Sequence, residues 1–314
     1  MKRPEFSERQ YEIAANIELA RGGVSPFVPS QNQEFHLGFD AAHDLSATHA
    51  IWRLLSINIP RRTVLTPLLW PRLPSQFHRM LAGRFVSLFV QFKCGVHQDH
   101  RRATHFTRVG GPYFQVAIRA HQQRQLAQLE SRVRPHAVVR YAAPAFWSHL
   151  EFMNHDRNRQ ILQHSAFVSP SVVGAHAKWM YERGGVRAFF NPQFEEAEGE
   201  SWELLVVALS ERARRETLEE HVRAIALSVE PASGIDTAPQ EGKADAGSWI
   251  SRLSTYGGFD QRDIQFLLDM STVATTADQA ECDWVVLFEP NDEWSFLRTE
   301  RWRPYFWPFG LHGP

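Results

Sequence analysis

Phe85-Val86-Ser87-Leu88-Phe89-Val90-Gln91-Phe92-Lys93 is the stretch that decides the fold. Aromatic and β-branched residues dominate it, and apolar side chains run almost unbroken as far as Gln91. Such a run suits a strand buried on both faces. Successive side chains of a strand point to opposite faces, so Gln91 and Lys93 share one face and Phe92 takes the other. Two polar groups at the end of a buried strand need a reason, because burying them unpaired is costly.

Upstream, residues Ser7 to Ala20 read as a helix. Ser7 and Gln10 have capping-box spacing, Tyr11, Ala14, Ala15 and Leu19 recur at helical intervals, and Arg21-Gly22-Gly23 ends the segment. Glu34 to Ala41 reads as a short strand or strand-like turn, with Gly38 allowing a bend and Asp40 near its end. Four prolines between residues 60 and 84 argue against regular structure there. The same stretch carries Arg61, Arg62, Trp70 and Arg72, which could contact a polynucleotide backbone.

Downstream, Gly110-Gly111-Pro112 is a turn, and Tyr113 to Ile118 is a strand or the start of a helix. Leu126 and Leu129 lie at helical spacing within an otherwise polar segment, and Val138 to Pro144 is a second buried strand. Helix, strand, Gln-x-Lys strand, helix, strand predicts an α/β fold, a mixed sheet flanked by helices. This assigns residues 1–145 to one domain and 146–314 to a C-terminal α+β extension. In that extension Phe146 to Leu162 is mainly helical, Ser165 to Ser171 is a strand or loop, and Trp202 to Leu209 is a strand or helix start. Arg212 to Leu227 and Asp260 to Met270 are helices, Ala232 to Gly247 is a linker, and Trp284 to Phe288 is a strand. The aromatic tail from Trp302 to Phe309 could dock on the domain or on a partner.

With 43% hydrophobic and 22% charged residues, the 314-residue chain has the make-up of an ordinary globular protein. A formal net charge of -1 means that any contact with nucleic acid rests on local basic patches. No apolar run is long enough for a membrane helix, and Met1 to Glu5 lacks the apolar core of a signal peptide. The only cysteines, Cys94 and Cys282, lack metal-type spacing, and these features together predict a cytoplasmic protein. The 15 histidines are scattered and form no zinc motif.

Residues 7–145 resemble the PD-(D/E)XK nuclease superfamily, nearest to its Mrr-like members, which carry glutamine where most members carry an acid. The matching residues are a helical acid (Glu18, with Glu12 the alternative), Asp40 in Gly38-Phe39-Asp40, Gln91-Phe92-Lys93, and Gln115 as a fourth element. The resemblance implies a restriction-endonuclease-like core that hydrolyses phosphodiesters with Mg²⁺ or Mn²⁺, in a prokaryotic anti-phage or restriction-type role. It implies Asp40, Gln91 and Glu18 as metal ligands, Lys93 as the group that orients or deprotonates the attacking water, and Gln115 as a positioning residue. The implied partner is nucleic acid, DNA ahead of RNA, and a protein partner or second copy is also open. The alternative is a nuclease-like fold that binds or assembles and has little or no catalysis, since Gln91 offers only a neutral oxygen.

Overall fold

The computed structural model describes residues 1–19, 24–27, 42–45, 63–64, 82–191, 194–229, 261–290 and 303–305. Asp40, the 232–247 segment and most of the aromatic tail lie outside the described residues. The fold is mixed α/β. The compact units do not follow chain order. One combines residues 1–19, 86–213 and 277–284, and the other combines 20–85, 214–276 and 285–314. Residue 145 therefore falls inside the first unit.

The strands are numbered here in chain order, with β1 at Val24–Phe27, β2 at Ala42–Leu45, β3 at Thr63–Val64 and β4 at Ala82–Phe92. In the first unit the centre is β4 from Val86 onward. It pairs in parallel with β7, after β5 (Val96–Gln98) and β6 (Tyr113–Ala117), and β7 spans Ala137–Pro144. Ser87 to Phe92 register against Ala137 to Ala142, and Lys93 extends the ladder by donating its N–H to the Ala142 carbonyl at 2.9 Å. Every residue of β7 is buried, as is every residue of β4 from Phe85 to Val90, so the apolar runs are strands covered on both faces. β8 (Ser165–Val168) pairs antiparallel on the far side of β7.

A second sheet in the same unit is antiparallel throughout, in the order β11-β10-β9-β6-β5. Its later strands are β9 (Lys178–Tyr181), β10 (Arg187–Asn191) and β11 (Glu195–Glu198). Gly185 turns the β9–β10 hairpin at φ +70, where a Cβ would come within 2.9 Å of the Ala166 side chain, so both backbone and space call for glycine.

Helix α1 (Glu8–Leu19) starts at the expected capping box. The Ser7 N–H donates to Gln10 Oε1 at 2.8 Å, and the Gln10 N–H donates back to Ser7 Oγ at 3.1 Å. After α2 (Phe106–Val109) comes the crossover helix α3 (Ala120–Val133). It buries Leu126 and Leu129 as their spacing requires, together with Gln122 and Gln123. The stretch from Phe146 to Leu162 is helical only over α4 (His149–Asn158), which a Ser148–Glu151 capping box opens. α5 (Pro170–Val173) is a single turn, and Trp202–Arg212 resolves as helix α6, with Ser201 as its N-cap.

In the second unit, β1, β2 and β3 form an antiparallel three-stranded sheet. The first residues of β4 pair antiparallel with β12 (Arg214–Thr217). The single helix expected from Arg212 to Leu227 is thus interrupted by a strand. Thr217 and Glu220 form a new capping box that starts α7 (Leu218–Val229). Helix α8 runs from Gln261 to Gln279, nine residues past the expected end at Met270. Strand β13 (Asp283–Pro290) follows, and its residues 286–288 pair with β14 (Arg303–Tyr305). Among the described residues no helix is long and apolar enough to cross a membrane.

Arg140 is a charged residue in the middle of fully buried β7, and the fold pairs it with a carboxylate. Its guanidinium donates to both carboxylate oxygens of Glu200, at 2.6 and 2.8 Å, and to the Val139 carbonyl at 2.8 Å. Removing one partner of a buried pair leaves an uncompensated charge. Glu200→Ala is expected to lower unfolding free energy by about 3 kcal/mol, more than Arg140→Met paired with Glu200→Leu, as measured by urea denaturation.

Candidate pocket at the end of the central strand

Helix α1 lies across the carboxyl end of β4, and one ridge of it meets the polar end of that strand. The ridge is Glu8, Glu12 and Asn16, spaced four residues apart and so stacked on one face. Glu8 Oε2 accepts the Cys94 N–H at 3.0 Å, and its Oε1 lies 3.9 Å from Lys93 Nζ. Glu12 lines an open pocket of about 180 Å³ with Gln91, Glu281, Cys282, Asp283 and the strand residues Val90 and Phe92. Asn16 Nδ2 donates to Asp283 Oδ2 at 2.8 Å. Between these polar contacts Tyr11 packs edge-on against Phe92, with ring centroids 5.6 Å apart. The apolar contact fixes the helix, and the polar ridge then falls on the strand end.

The far wall comes from two other parts of the chain. Gln122 on α3 is 1% exposed. Its Nε2 donates to Gln91 Oε1 at 2.7 Å and to Glu281 Oε2 at 2.9 Å. Gln91 in turn donates through Nε2 to the Phe92 carbonyl at 2.9 Å. Glu281 adopts φ 51, a left-handed conformation that costs a residue with a Cβ about 1 kcal/mol. Its carboxylate bond to Gln122 helps hold it there. That turn leads into β13 and brings Asp283 to the pocket. Trp284 fixes the start of the strand, stacking on Phe89 at 6.2 Å between centroids and donating its indole N–H to Ser87 Oγ at 3.0 Å.

Charge in the pocket is crowded. Burial, and then the neighbouring Asp283, push the Glu12 carboxyl up to about 7. Burial raises the Asp283 carboxyl as well, opposed by the Asn16 hydrogen bond and by Arg9. Burial holds the Lys93 ammonium below the ordinary lysine range, with Glu8 opposing that shift and Arg119 adding to it. Burial pushes the Cys94 thiol up to about 12, which disfavours its thiolate. Asn16 Oδ1 and Gln122 Oε1, on residues that bond to the pocket lining, are buried with no hydrogen-bond partner among the described residues. Each such oxygen costs about 1–3 kcal/mol.

The sequence-derived site residues are distributed unevenly. Gln91 lines the pocket, and Lys93 is two residues on along the same strand direction, tied to Glu8. Of the two helical acids, Glu12 faces Gln91. Glu18 is buried elsewhere, where its Oε2 accepts the Ile161 and Leu162 N–H groups at 2.6 and 3.3 Å, closing the turn after α4. Gln115 sits in β6 of the antiparallel sheet, between Val96 and Met180, and is not among the pocket residues. Asp40 lies outside the described residues. Glu281 and Asp283 line the pocket, and Glu8, Asn16 and Gln122 bond to residues at or next to it, although the motif reading names none of them. Among the described residues no group of three or more His, Cys, Asp or Glu is arranged to hold a metal ion.

Comparison of the chain with protein-family models, curated proteins and solved structures finds no match. The functional reading therefore rests on the geometry of this pocket.

The Glu12 environment has a consequence for stability. The fold retains this proton up to about pH 7, whereas the unfolded chain releases it near 4.5. Ionisation in between is a cost borne by the folded state alone, so this group's contribution to stability falls as pH rises through that window. Thermal melts of Glu12→Gln are expected to lose that decline and to show a higher Tm than the wild type at about pH 8.

Proposed function

We propose that the pocket is the active site of a metal-dependent phosphodiesterase that cleaves nucleic acid. One observation carries the reading: Glu12 from α1 and Gln91 from the carboxyl end of β4 line one pocket, and Lys93 follows on the same strand. This combination of a helical acid with a Gln-x-Lys strand end is the one the sequence resemblance implies, with Glu12 in the part assigned to Glu18. The pocket also lies at the carboxyl end of a strand in a parallel pair, where α/β sheets commonly bind ligands.

A bound Mg²⁺ or Mn²⁺ supplies positive charge against the anionic oxygens of a phosphodiester, which otherwise repel a nucleophile. Glu12 and Gln91, which line the pocket, would be the oxygen ligands that hold such an ion. Lys93 orients the attacking water and stabilises charge developing on the phosphate. Burial favours its neutral form, which can take the water's proton. Asp40 remains the additional acid implied by the resemblance.

A second reading is a binding or assembly module of the same fold. It is favoured by the neutral amide of Gln91, whose oxygen is already engaged by Gln122, and by the lack of a three-residue metal cluster among the described residues. Incubating the full chain with single-stranded DNA, plasmid DNA and RNA, in Mg²⁺ or Mn²⁺, separates the two. The phosphodiesterase reading expects cleavage that falls about 10²–10⁴-fold in Lys93→Ala and is also reduced in Asp40→Ala. Binding without cleavage in either metal favours the assembly reading.

A further inference from the structure

We infer that the arm ahead of α1, Lys2 to Glu5, is an acid-released strap, docked along β5 while His97 is neutral and set free when that ring takes a proton. The inference stands apart from the phosphodiesterase reading. The outer end of the arm is held around His97. Lys2 and His97 exchange backbone hydrogen bonds, each N–H donating to the other's carbonyl at 2.8 Å. Lys2 Nζ pairs with Asp99 at 2.8 Å and lies over the Trp147 ring, 4.3 Å from its centroid. The His97 ring stacks on the same Trp147, with centroids 5.9 Å apart, and packs on Phe114 at 4.8 Å. Further along, Glu5 donates its N–H to the Trp147 carbonyl at 2.9 Å and accepts the His149 N–H at 2.8 Å. Phe6 is buried against Phe146 and Phe152 and leads into the Ser7 capping box, so α1 has an anchor of its own. β5 is the last strand of its sheet, and Lys2 is paired to its outer side, so the docked arm covers that edge.

A charged His97 is poorly accommodated there. The protonated ring carries an N–H on both nitrogens, and Nδ1 is buried with no partner among the described residues. Four charged groups act on the ring: Lys2 from the arm, Asp99 from the loop after β5, Arg183 from the β9–β10 hairpin and Glu151 from α4. Both carboxylates are already engaged, Asp99 by Lys2 and Glu151 by Arg183 and the Ser148 hydroxyl. Burial holds the imidazolium below the ordinary histidine value of 6.5. Asp99 opposes that shift, Lys2 and Arg183 add to it, and Glu151 opposes it. A ring freed from this setting takes its proton near 6.5, so docking is favoured above that pH and is lost as pH falls through the lower value of the docked ring. Release bares the outer edge of β5.

Hydrogen exchange followed by NMR on the full chain tests this without any substrate. The His97 and Glu5 N–H groups are expected to open about tenfold more at about pH 5 than at about pH 7.5, after correction for intrinsic exchange. The Ile118 N–H, bonded to the Ala177 carbonyl at 2.8 Å in the same unit, is expected to stay closed. The opening is expected to follow the titration of the His97 ring in the same sample. His97→Phe keeps an aromatic ring between Phe114 and Trp147 and cannot take a proton, so its arm is expected to stay docked at both pH values. Equal protection of the wild type at both pH values overturns the inference. So does an opening whose midpoint departs from that of the His97 ring, a parallel opening at Ile118, or the same acid opening in folded His97→Phe. If His97→Phe does not fold, the wild-type midpoints carry the test.

Discussion

A strand buried on both faces must meet something polar where it ends, and in this protein that something is the first helix. β4 runs apolar and covered up to Val90, then presents Gln91 and Lys93 within three residues. The Tyr11–Phe92 contact sets the helix against the strand. Glu8 takes the Cys94 N–H that has left the sheet ladder, and its carboxylate lies near the Lys93 ammonium. Half-exposed as Glu8 is, that ion pair adds little by itself, under about 1 kcal/mol. Its value is positional, because anchoring the first turn fixes where the next turn brings Glu12 and the one after brings Asn16.

The same constraint explains the stress in the pocket. Once the ridge of α1 is fixed, Glu12 and Asp283 line one pocket, and burial raises the proton affinity of both carboxyls. Their raised proton affinities, the left-handed Glu281 and the unpartnered oxygens of Asn16 and Gln122 are all costs paid at one place. Elsewhere in the same unit several buried polar groups are well provided for. Arg140 has a bidentate carboxylate, the Glu18 carboxylate closes two backbone N–H groups, and Gln123 bonds both the Tyr141 hydroxyl and the Pro170 carbonyl. Several such costs meet at this pocket, although His97, His105, Gln125 and Trp179 of the same unit also keep a buried polar atom without a partner among the described residues.

The core elements were legible because their signals are local. The β4 run, the Ser7–Gln10 box, the leucines of α3 and the apolar run of β7 each declare themselves within about ten residues. The α6 and β12 region was harder, since Trp202 to Leu209 is compatible with either state and the strand at Arg214 exists only because β4 offers it an edge. Within the site, Gln91 and Lys93 were legible from the strand they end. The choice of helical acid was not. Glu18 falls on the Tyr11–Ala14–Ala15 stripe, which marks it as a buried carboxylate in need of partners, and the backbone at Ile161 supplies them. Glu12 is marked only by its spacing from Glu8 and Asn16, a polar ridge that has no meaning until its facing surface is known.

Asp283 was beyond reach for a different reason. The apolar strand that begins at Trp284 could be read, but nothing local says that its first residues return to the end of a strand almost two hundred residues earlier. That return depends on Trp284 finding Phe89 and Ser87, and on a turn at Glu281 that Gln122 helps to hold. A motif compares residues along the chain, whereas this pocket is assembled from an N-terminal helix, the end of a central strand, a crossover helix and a late strand. The make-up of this strand end thus depends less on the order of the elements than on the one geometric fact that α1 and the start of β13 both border the pocket at Gln91.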